Sequence, residues 1–271
     1  MFSRHSTLLA QLTHLASNPE IGKQSLRVFP LEGSANRRFV NVDTTSFDGI
    51  NRAERLGFVG DKLQLVDVIF TGILPNVVDK LYTDDHKAVL FTIVRHPVDR
   101  AVSTFYYLRK AHWESSYSPE WQNMTIMEYT KGYKAIEENW MVRWLSNKPQ
   151  LHGEQLTEDD LEKAKMVLRE QVWVGVIDKM EESMERFGQL FGWNRPPLDQ
   201  AGNWDACMDR WVRGGGSNKN KHRSFKPDDE EYKALAEINK WDMRLYEYAL
   251  EIFDSDGKTH FANLKKTGES S

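Results

Sequence analysis

The sequence predicts an α/β fold, in which helices flank a parallel sheet and form a single domain with it. The continuous apolar runs Leu90–Val94 and Val172–Ile177 are typical of strands that are buried on both faces. Segments with helical spacing separate the strand-like runs along the chain, and this alternation favours parallel pairing. The 271 residues, of which 40% are hydrophobic, suffice for one core of good size.

The first third of the chain contains shorter signals of the same kind. Leu8–Leu15 has helical spacing, Phe39–Val42 is predicted to be a short strand, and Gly49–Leu56 suits a short helix. Leu65–Phe70, which is rich in Val and Ile, is predicted to be the next strand.

Two helices are predicted in the second half. Thr157 precedes three consecutive acidic residues, which is the pattern of an N-cap followed by an acidic first turn. Between Tyr232 and Phe253 the apolar residues follow the helical period, so we expect one amphipathic helix that packs on the core.

Composition excludes several functional classes. A net charge of -4 argues against a general nucleic-acid binder, so an anion site would need a local cluster such as the basic residues between Arg210 and Lys226. Cys207 is the only cysteine, so neither an intrachain disulfide nor a cysteine-based zinc site can form. No apolar run approaches the ~18 residues of a membrane span, and we expect the chain as written to be soluble.

The junction after Leu90–Val94 has the chemistry of an anion site. Pro97 is suited to the first turn of a helix, and the free N–H groups of that turn favour negative charge. Arg95 precedes this turn and can bind phosphate oxygens through two donors. Ser103 is predicted to share a helical face with Arg100, so a phosphate here would be contacted from several sides.

A glycine-rich loop with basic residues follows at Arg213–His222. Adjacent glycines let successive backbone N–H groups form an anion-binding nest, whereas a flexible solvated loop has the same composition. Composition alone leaves these two interpretations open.

The segment Arg95–Ser103, with Thr104–Leu108 after it, resembles the 3′-phosphate-binding motif of sulfotransferases that use 3′-phosphoadenosine-5′-phosphosulfate (PAPS). Asn139–Leu145 is similar to a segment of the carbohydrate-type, Golgi-like members and their marine microalgal relatives. Val174–Val176 and the helix that follows resemble a late strand and helix of the family. The resemblance covers roughly residues 40–255.

The resemblance implies a P-loop NTPase-like fold and assigns functional residues. Arg95 and Ser103 would bind the 3′-phosphate of PAPS, and a late loop formed by Gly216, Ser217, Asn218 and His222 would close over the nucleotide. The implied organisation is an N-terminal remnant at 1–38, a sulfotransferase-like domain at 39–253 and a flexible tail at 254–271.

The loop that binds the 5′-phosphosulfate in this family is not recognisable. Ser3–Thr7 is at most a degenerate remnant, and we expect a chain that begins after or inside that motif. Position in the family pattern makes Asp43 the candidate catalytic base, but Asp43 lies before Thr44, Thr45 and Asp48 and is equally typical of a turn or a helix cap.

The predicted function is therefore sulfuryl transfer from PAPS to a hydroxyl of a carbohydrate-type acceptor, without a metal and without nucleic acid as partner. The alternative is a non-catalytic or truncated relative that binds adenosine 3′,5′-bisphosphate or a sulfated glycan. A Golgi lumen location would fit a truncated form. Acceptor identity and oligomeric state stay open.

Overall fold

The computed structural model divides the chain into two compact units, Met1–Val89 and Leu90–Ser271, and we describe each by itself. The residues that the structure describes are 25–30, 38–58, 69–83, 88–112, 117–131, 138–148, 155–194, 203–214 and 222–268. The predicted helix Leu8–Leu15 lies outside these residues.

The first unit contains an antiparallel pair of short strands, β1 (Val28–Pro30) and β2 (Arg38–Val40), with Val28 opposite Val40. A strand near Phe39 was predicted, but as part of a parallel sheet. The two chain segments that flank the short connection at 31–37 pair with each other instead, which is the pairing that short connections allow.

Two helices complete the described part of this unit, α1 (Phe47–Arg55) and α2 (Leu74–Leu81). Helix α1 confirms the predicted helix near Gly49, and an ion pair of 3.0 Å between Lys80 and Glu54 joins α2 to α1. Of the predicted strand Leu65–Phe70, residues 65–68 lie outside the described residues, and Ile69 and Phe70 belong to no strand.

The second unit is built on two parallel strands, β3 (Leu90–Val94) and β4 (Val172–Val176), which pair in register from Leu90 and Val172 to Val94 and Val176. Both strands were predicted. Ser183 fixes the end of β4, because its buried hydroxyl accepts a hydrogen bond from the Val176 amide and donates to backbone carbonyls.

Helix α3 (Pro97–Leu108) follows β3 after a two-residue turn and begins at the predicted proline. One face of α3 supplies most of its side chains to the core. The core cluster around this face consists of Val98, Ala101, Val102, Phe105, Leu108, Trp121, Ile126, Tyr129, Phe225 and Leu235. The opposite face of α3 is therefore the one available to a ligand.

Further helices surround this sheet and core. They are α4 (Ile126–Lys131), α5 (Trp140–Leu145), α6 (Glu158–Gln171), α7 (Met180–Leu190), α8 (Asn203–Cys207) and a π-helix at Met208–Arg213. Thr157 is the N-cap of α6, as predicted, and Asp160 accepts a hydrogen bond of 2.8 Å from the Thr157 amide in a capping box.

The predicted single helix between Tyr232 and Phe253 is wrong, because two helices occupy this segment, α9 (Glu230–Ile238) and α10 (Lys240–Gly268). The helix ends at Asn239, because the backbone amides of Trp241 and Asp242 donate to the side-chain oxygen of Asn139, which caps the start of the second helix. The backbone of α10 stays helical past 254, where the flexible tail was expected to begin.

The second unit is thus a helix-rich α/β structure around a small parallel sheet. In the part of the chain that the structure describes, no helix is both long and apolar enough to cross a membrane.

Candidate active site

The carboxyl ends of β3 and β4 meet at one edge of the sheet. Because Val94 is paired with Val176, the residues that follow, Arg95 and His96 on one side and Ile177 and Asp178 on the other, leave the sheet together. Ligands of open α/β sheets bind at this edge.

Arg95 and Ser103 lie where the sequence placed them, at the end of β3 and inside α3, and both side chains are partly buried. Within the described part of the chain, neither the Arg95 guanidinium nor the Ser103 hydroxyl has a hydrogen-bond or ion-pair partner. A partly buried arginine without a carboxylate is unusual, since charges are paired as they leave water. Both groups are free to bind an anion.

A stripe of polar side chains begins at the sheet edge and runs along α3, largely on the face opposite the core. At its far end, Tyr106 packs against the core cluster. We call His96, Asp99, Ser103 and Tyr106 the polar stripe, because their spacing of three or four residues places them on one face of the helix. All four side chains are partly buried. The stripe joins the turn that carries Arg95 to the middle of α3.

Arg100 does not belong to this site, which corrects the expectation that it would share a phosphate with Ser103. Its guanidinium pairs with the buried carboxylate of Asp242 at 3.2 Å and lies over the ring of Trp140, 4.9 Å from the ring centre. A fully buried carboxylate without a paired cation costs much free energy, whereas a solvated phosphate keeps its hydration. The Arg100 side chain therefore points toward Asp242.

Asp242 and Asn139 cap each other's helices, in what we call the capping network. Asp242 accepts hydrogen bonds from the amides of Met141 and Val142 at the start of α5, at 2.9 and 2.8 Å. The Asn139 side-chain oxygen accepts from the amides of Trp241 and Asp242 at the start of α10, at 2.9 and 3.2 Å. The segment Asn139–Leu145 that resembles sulfotransferases therefore contributes packing.

His222 is the one residue of the predicted nucleotide loop that the structure describes, since Gly216, Ser217 and Asn218 lie outside the described residues. Its imidazole stacks on the ring of Tyr106 with an interplanar angle of 5° and centroids 5.4 Å apart. Tyr106 is one helical turn from Ser103, so the end of the glycine-rich loop returns to the polar stripe.

The start of the same loop is fixed by the π-helix. The Gly214 amide donates to the Asp209 carbonyl at 2.8 Å, and a Cβ at Gly214 would lie 2.8 Å from that oxygen, so this position requires glycine. Arg213 pairs with Glu181 at 2.6 Å and with Asp209 at 2.7 Å. The hydrogen bonds to these carboxylates raise the pKa of Arg213, and this cation is not available to a ligand.

The predicted basic cluster is therefore partly neutralised. In addition to Arg213, Arg223 forms an ion pair of 3.5 Å with Glu231. Lys219 and Lys221 lie outside the described residues. Counting the basic residues along the sequence overestimates the available positive charge, because Arg213 and Arg223 are paired with carboxylates.

Side chains from four elements meet around His96, and we call His96, Asp178, Tyr232 and Tyr246 the edge cluster. The hydroxyl of Tyr232 lies 3.3 Å from His96 Nε2, and the ring of Tyr246 is edge-on to the imidazole at 5.4 Å. Tyr246 donates to Asp178 at 3.3 Å, and burial together with the negative charge of Asp178 raises the pKa of Tyr246 to about 12. Burial and the negative charge of Asp99 raise the pKa of Tyr232.

Asp43 lies in the first unit, in the turn between β2 and α1. Its carboxylate accepts hydrogen bonds from the Thr45 amide at 2.9 Å and from the hydroxyls of Thr45 and Ser46, both at 2.7 Å. The Asp43 carbonyl leaves no room for a side chain at position 49, where an added Cβ would lie 1.8 Å from it. This geometry is that of a turn that leads into a helix, the second of the two interpretations.

Sequence reasoning missed the residues that hold these sites together. Asn239 and Asp242 lie on the same helical stripe as Leu235, Leu245 and Ala249, and polar residues on a buried stripe were the available signal. Tyr232 and Tyr246 were assigned to packing. Their contact with His96 and Asp178 follows from tertiary structure alone.

No metal centre is evident in the described ranges, where no group of three or more His, Cys, Asp or Glu side chains is placed to hold an ion.

The parallel strand pair and the strand-turn-helix junction at its carboxyl edge define an α/β protein, and the arginine at this junction has no hydrogen-bond or ion-pair partner among the described residues. The chain belongs to the sulfotransferase family, whose model matches residues 77–249. This match spans β3, α3 and β4, and family membership implies a sulfate donor and an acceptor as substrates. Comparisons with curated proteins and with solved structures gave no match.

Proposed function

We propose that this protein transfers a sulfuryl group from PAPS to a hydroxyl of a carbohydrate-type acceptor, on a P-loop NTPase-like sheet. In this reaction the acceptor oxygen bonds to sulfur, and the bond between sulfur and the phosphate oxygen breaks. Adenosine 3′,5′-bisphosphate leaves, and a base takes the acceptor proton. No metal is needed, because protein cations and amides can stabilise the charge on the leaving phosphate.

The observation that carries the proposal is the partner-free Arg95 at the sheet edge, followed by a helix with Ser103 on its exposed face. A guanidinium and a hydroxyl on one side of a strand-helix junction suit a phosphate monoester. His222 stacks one turn from Ser103, which supports closure of the Gly216–Asn218 loop over the same nucleotide.

The carbohydrate acceptor rests on the resemblance of Asn139–Leu145 to carbohydrate-type enzymes, and the side chains of that segment are used for packing. The base is assigned to Asp43 by its place in the family pattern. Its three local hydrogen bonds would have to be exchanged, at least in part, for a contact with the acceptor hydroxyl.

The engaged carboxylate of Asp43 favours the alternative function, which is binding of adenosine 3′,5′-bisphosphate or a sulfated glycan without turnover. Both oxygens of this carboxylate already accept hydrogen bonds within its own turn. The sequence also lacks a recognisable loop for the 5′-phosphosulfate.

Calorimetric titration of adenosine 3′,5′-bisphosphate and of adenosine 5′-monophosphate tests the nucleotide site. The bisphosphate is expected to bind about tenfold or more tightly, since a charge-assisted contact to the 3′-phosphate contributes about 1.5–3 kcal/mol. Arg95→Ala should remove this preference. Equal affinities for the two nucleotides in the unmodified chain would refute the proposed 3′-phosphate site.

Transfer of radiolabelled sulfate from PAPS to a panel of desulfated polysaccharides then separates the two functions. Turnover that Asp43→Asn abolishes while nucleotide affinity is kept supports the enzyme with Asp43 as base. Tight nucleotide binding with no transfer to any acceptor supports the non-catalytic alternative. If turnover persists in Asp43→Asn, the catalytic base is a residue other than Asp43.

A further inference from the structure

The imidazole of His96 is held between two tyrosines at the residue next to Arg95. Tyr232 from α9 contacts Nε2 at 3.3 Å, and Tyr246 from α10 packs edge-on against the ring at 5.4 Å. His96 is also the N-cap residue of α3, yet its side chain makes no capping hydrogen bond. No other described residue contacts a ring nitrogen of His96, so Nδ1 has no partner there.

The contact with Tyr232 bears on which ring nitrogen carries the proton, because the hydroxyl can donate to Nε2 or accept from it. Burial and the charge of Asp99 raise the pKa of Tyr232, so its hydroxyl keeps its proton at neutral pH and can donate to Nε2. A neutral imidazole that accepts at Nε2 carries its proton at Nδ1. When the imidazole is protonated, Nδ1 carries a proton as well. In both states Nδ1–H is a donor, one residue from the free guanidinium of Arg95.

We propose that His96 is a ligand of the anion site, donating from Nδ1–H to the phosphate that Arg95 and Ser103 bind, and that Tyr232 is the positioning residue that selects this tautomer. The inference deepens the proposed function and rests on it. It makes His96 a specificity determinant of the 3′-phosphate site.

The test compares two amides at position 96. An asparagine amide reaches the place of imidazole Nδ1, whereas a glutamine amide reaches the place of Nε2. We expect His96→Asn to bind adenosine 3′,5′-bisphosphate within about threefold of the unmodified chain, and His96→Gln to bind about tenfold or more weakly. Tyr248→Phe, which removes a tyrosine hydroxyl elsewhere on α10, serves as the control.

Tyr232→Phe provides a second, milder variant. It should weaken bisphosphate binding several-fold, and nitrogen-detected NMR of the neutral imidazole of His96 should show a shift of the proton from Nδ1 to Nε2.

The outcomes separate this inference from the function on which it rests. If the unmodified chain fails to bind the bisphosphate, the proposed function fails and the inference fails with it. If the unmodified chain binds and Arg95→Ala does not, while both His96 variants and Tyr232→Phe bind normally, the function stands and the role of His96 is overturned. A proton found at Nε2 in the unmodified chain would overturn the role of Tyr232.

Discussion

Helix α3 touches two polar regions that differ in how fully their hydrogen-bonding groups are used. In the capping network both carboxylate oxygens of Asp242 accept hydrogen bonds, and Asp242 is fully buried. In the polar stripe and the adjoining turn, Arg95, Ser103 and one nitrogen of His96 have no partner among the described residues. Saturated groups stabilise a fold, whereas free, partly buried groups are available to a ligand.

Arg95 and Arg100 show the difference within six residues of sequence. Both are basic residues of the motif, and both side chains are partly buried. Arg100 has a carboxylate from a helix that lies more than a hundred residues later in the chain, and Arg95 has none in the described structure. Residue type in a motif therefore does not reveal which arginine is paired within the fold and which is left without a partner.

The largest effect is expected in the capping network. Asp242→Ala should lower the free energy of unfolding by about 3–5 kcal/mol, because it leaves a partly buried arginine and two buried amides without this acceptor. Urea unfolding measures this loss. Glu158→Ala, which breaks the exposed ion pair with Arg244, should have a much smaller effect, because solvent and salt screen an exposed pair. Similar losses in the two variants would contradict the comparison.

Arg95→Ala should have the opposite effect: it should lower nucleotide affinity and leave the free energy of unfolding almost unchanged. It removes no hydrogen bond or ion pair among the described residues, so the free energy of unfolding should change by less than about 0.5 kcal/mol. Affinity for adenosine 3′,5′-bisphosphate should fall by about 1.5–3 kcal/mol, or roughly ten- to hundredfold. Arg244→Ala offers a control arginine that should leave this affinity unchanged. A loss of stability with unchanged affinity would place Arg95 among the structural residues.

Ser103→Ala should have a smaller effect on the same binding reaction. A hydroxyl contributes about 0.5–1.5 kcal/mol to such a contact, so a several-fold loss of affinity is expected. Thr104→Ala is the matched control, because residue 104 lies about 100° further round the helix and away from the polar stripe. Equal losses in calorimetry of the two variants would argue against Ser103 as a ligand.

The smallest effect concerns a second saturated carboxylate. Burial raises the pKa of Asp160, but hydrogen bonds from Lys148 and Thr157 outweigh it and leave the pKa below the usual range. Asp160→Asn should therefore cost stability, by under about 1 kcal/mol, above the unfolded-state pKa of about 3.9.

This stability difference should disappear as pH falls through the depressed pKa of folded Asp160, because the ionised form is the one that the fold stabilises. Unfolding curves between about pH 7 and about pH 2.5 measure it. Asp159→Asn, an exposed neighbour, should show no such pH dependence. A difference that persists at the lowest pH would mean that charge is not the source of the stabilisation.

Short-range patterns allowed several elements to be predicted from the sequence. The strands that begin at Leu90 and Val172 follow from continuous apolar runs, the start of α3 from Pro97, and the cap of α6 from Thr157. The break at Asn239 was missed, because the apolar period continues across it and the groups that cap α10 come from Asn139.

The candidate site also has features that the sequence predicted and features that only the tertiary structure revealed. The sequence by itself determined the order of strand, turn and helix that carries Arg95 and Ser103, because backbone propensities and turn chemistry act over a few residues. Only the tertiary structure decided that Arg100 belongs to Asp242, that Tyr232 contacts His96 and that His222 returns to Tyr106. The direction of a long or ionisable side chain depends on partners that folding brings from distant parts of the chain, and local patterns carry no information about them.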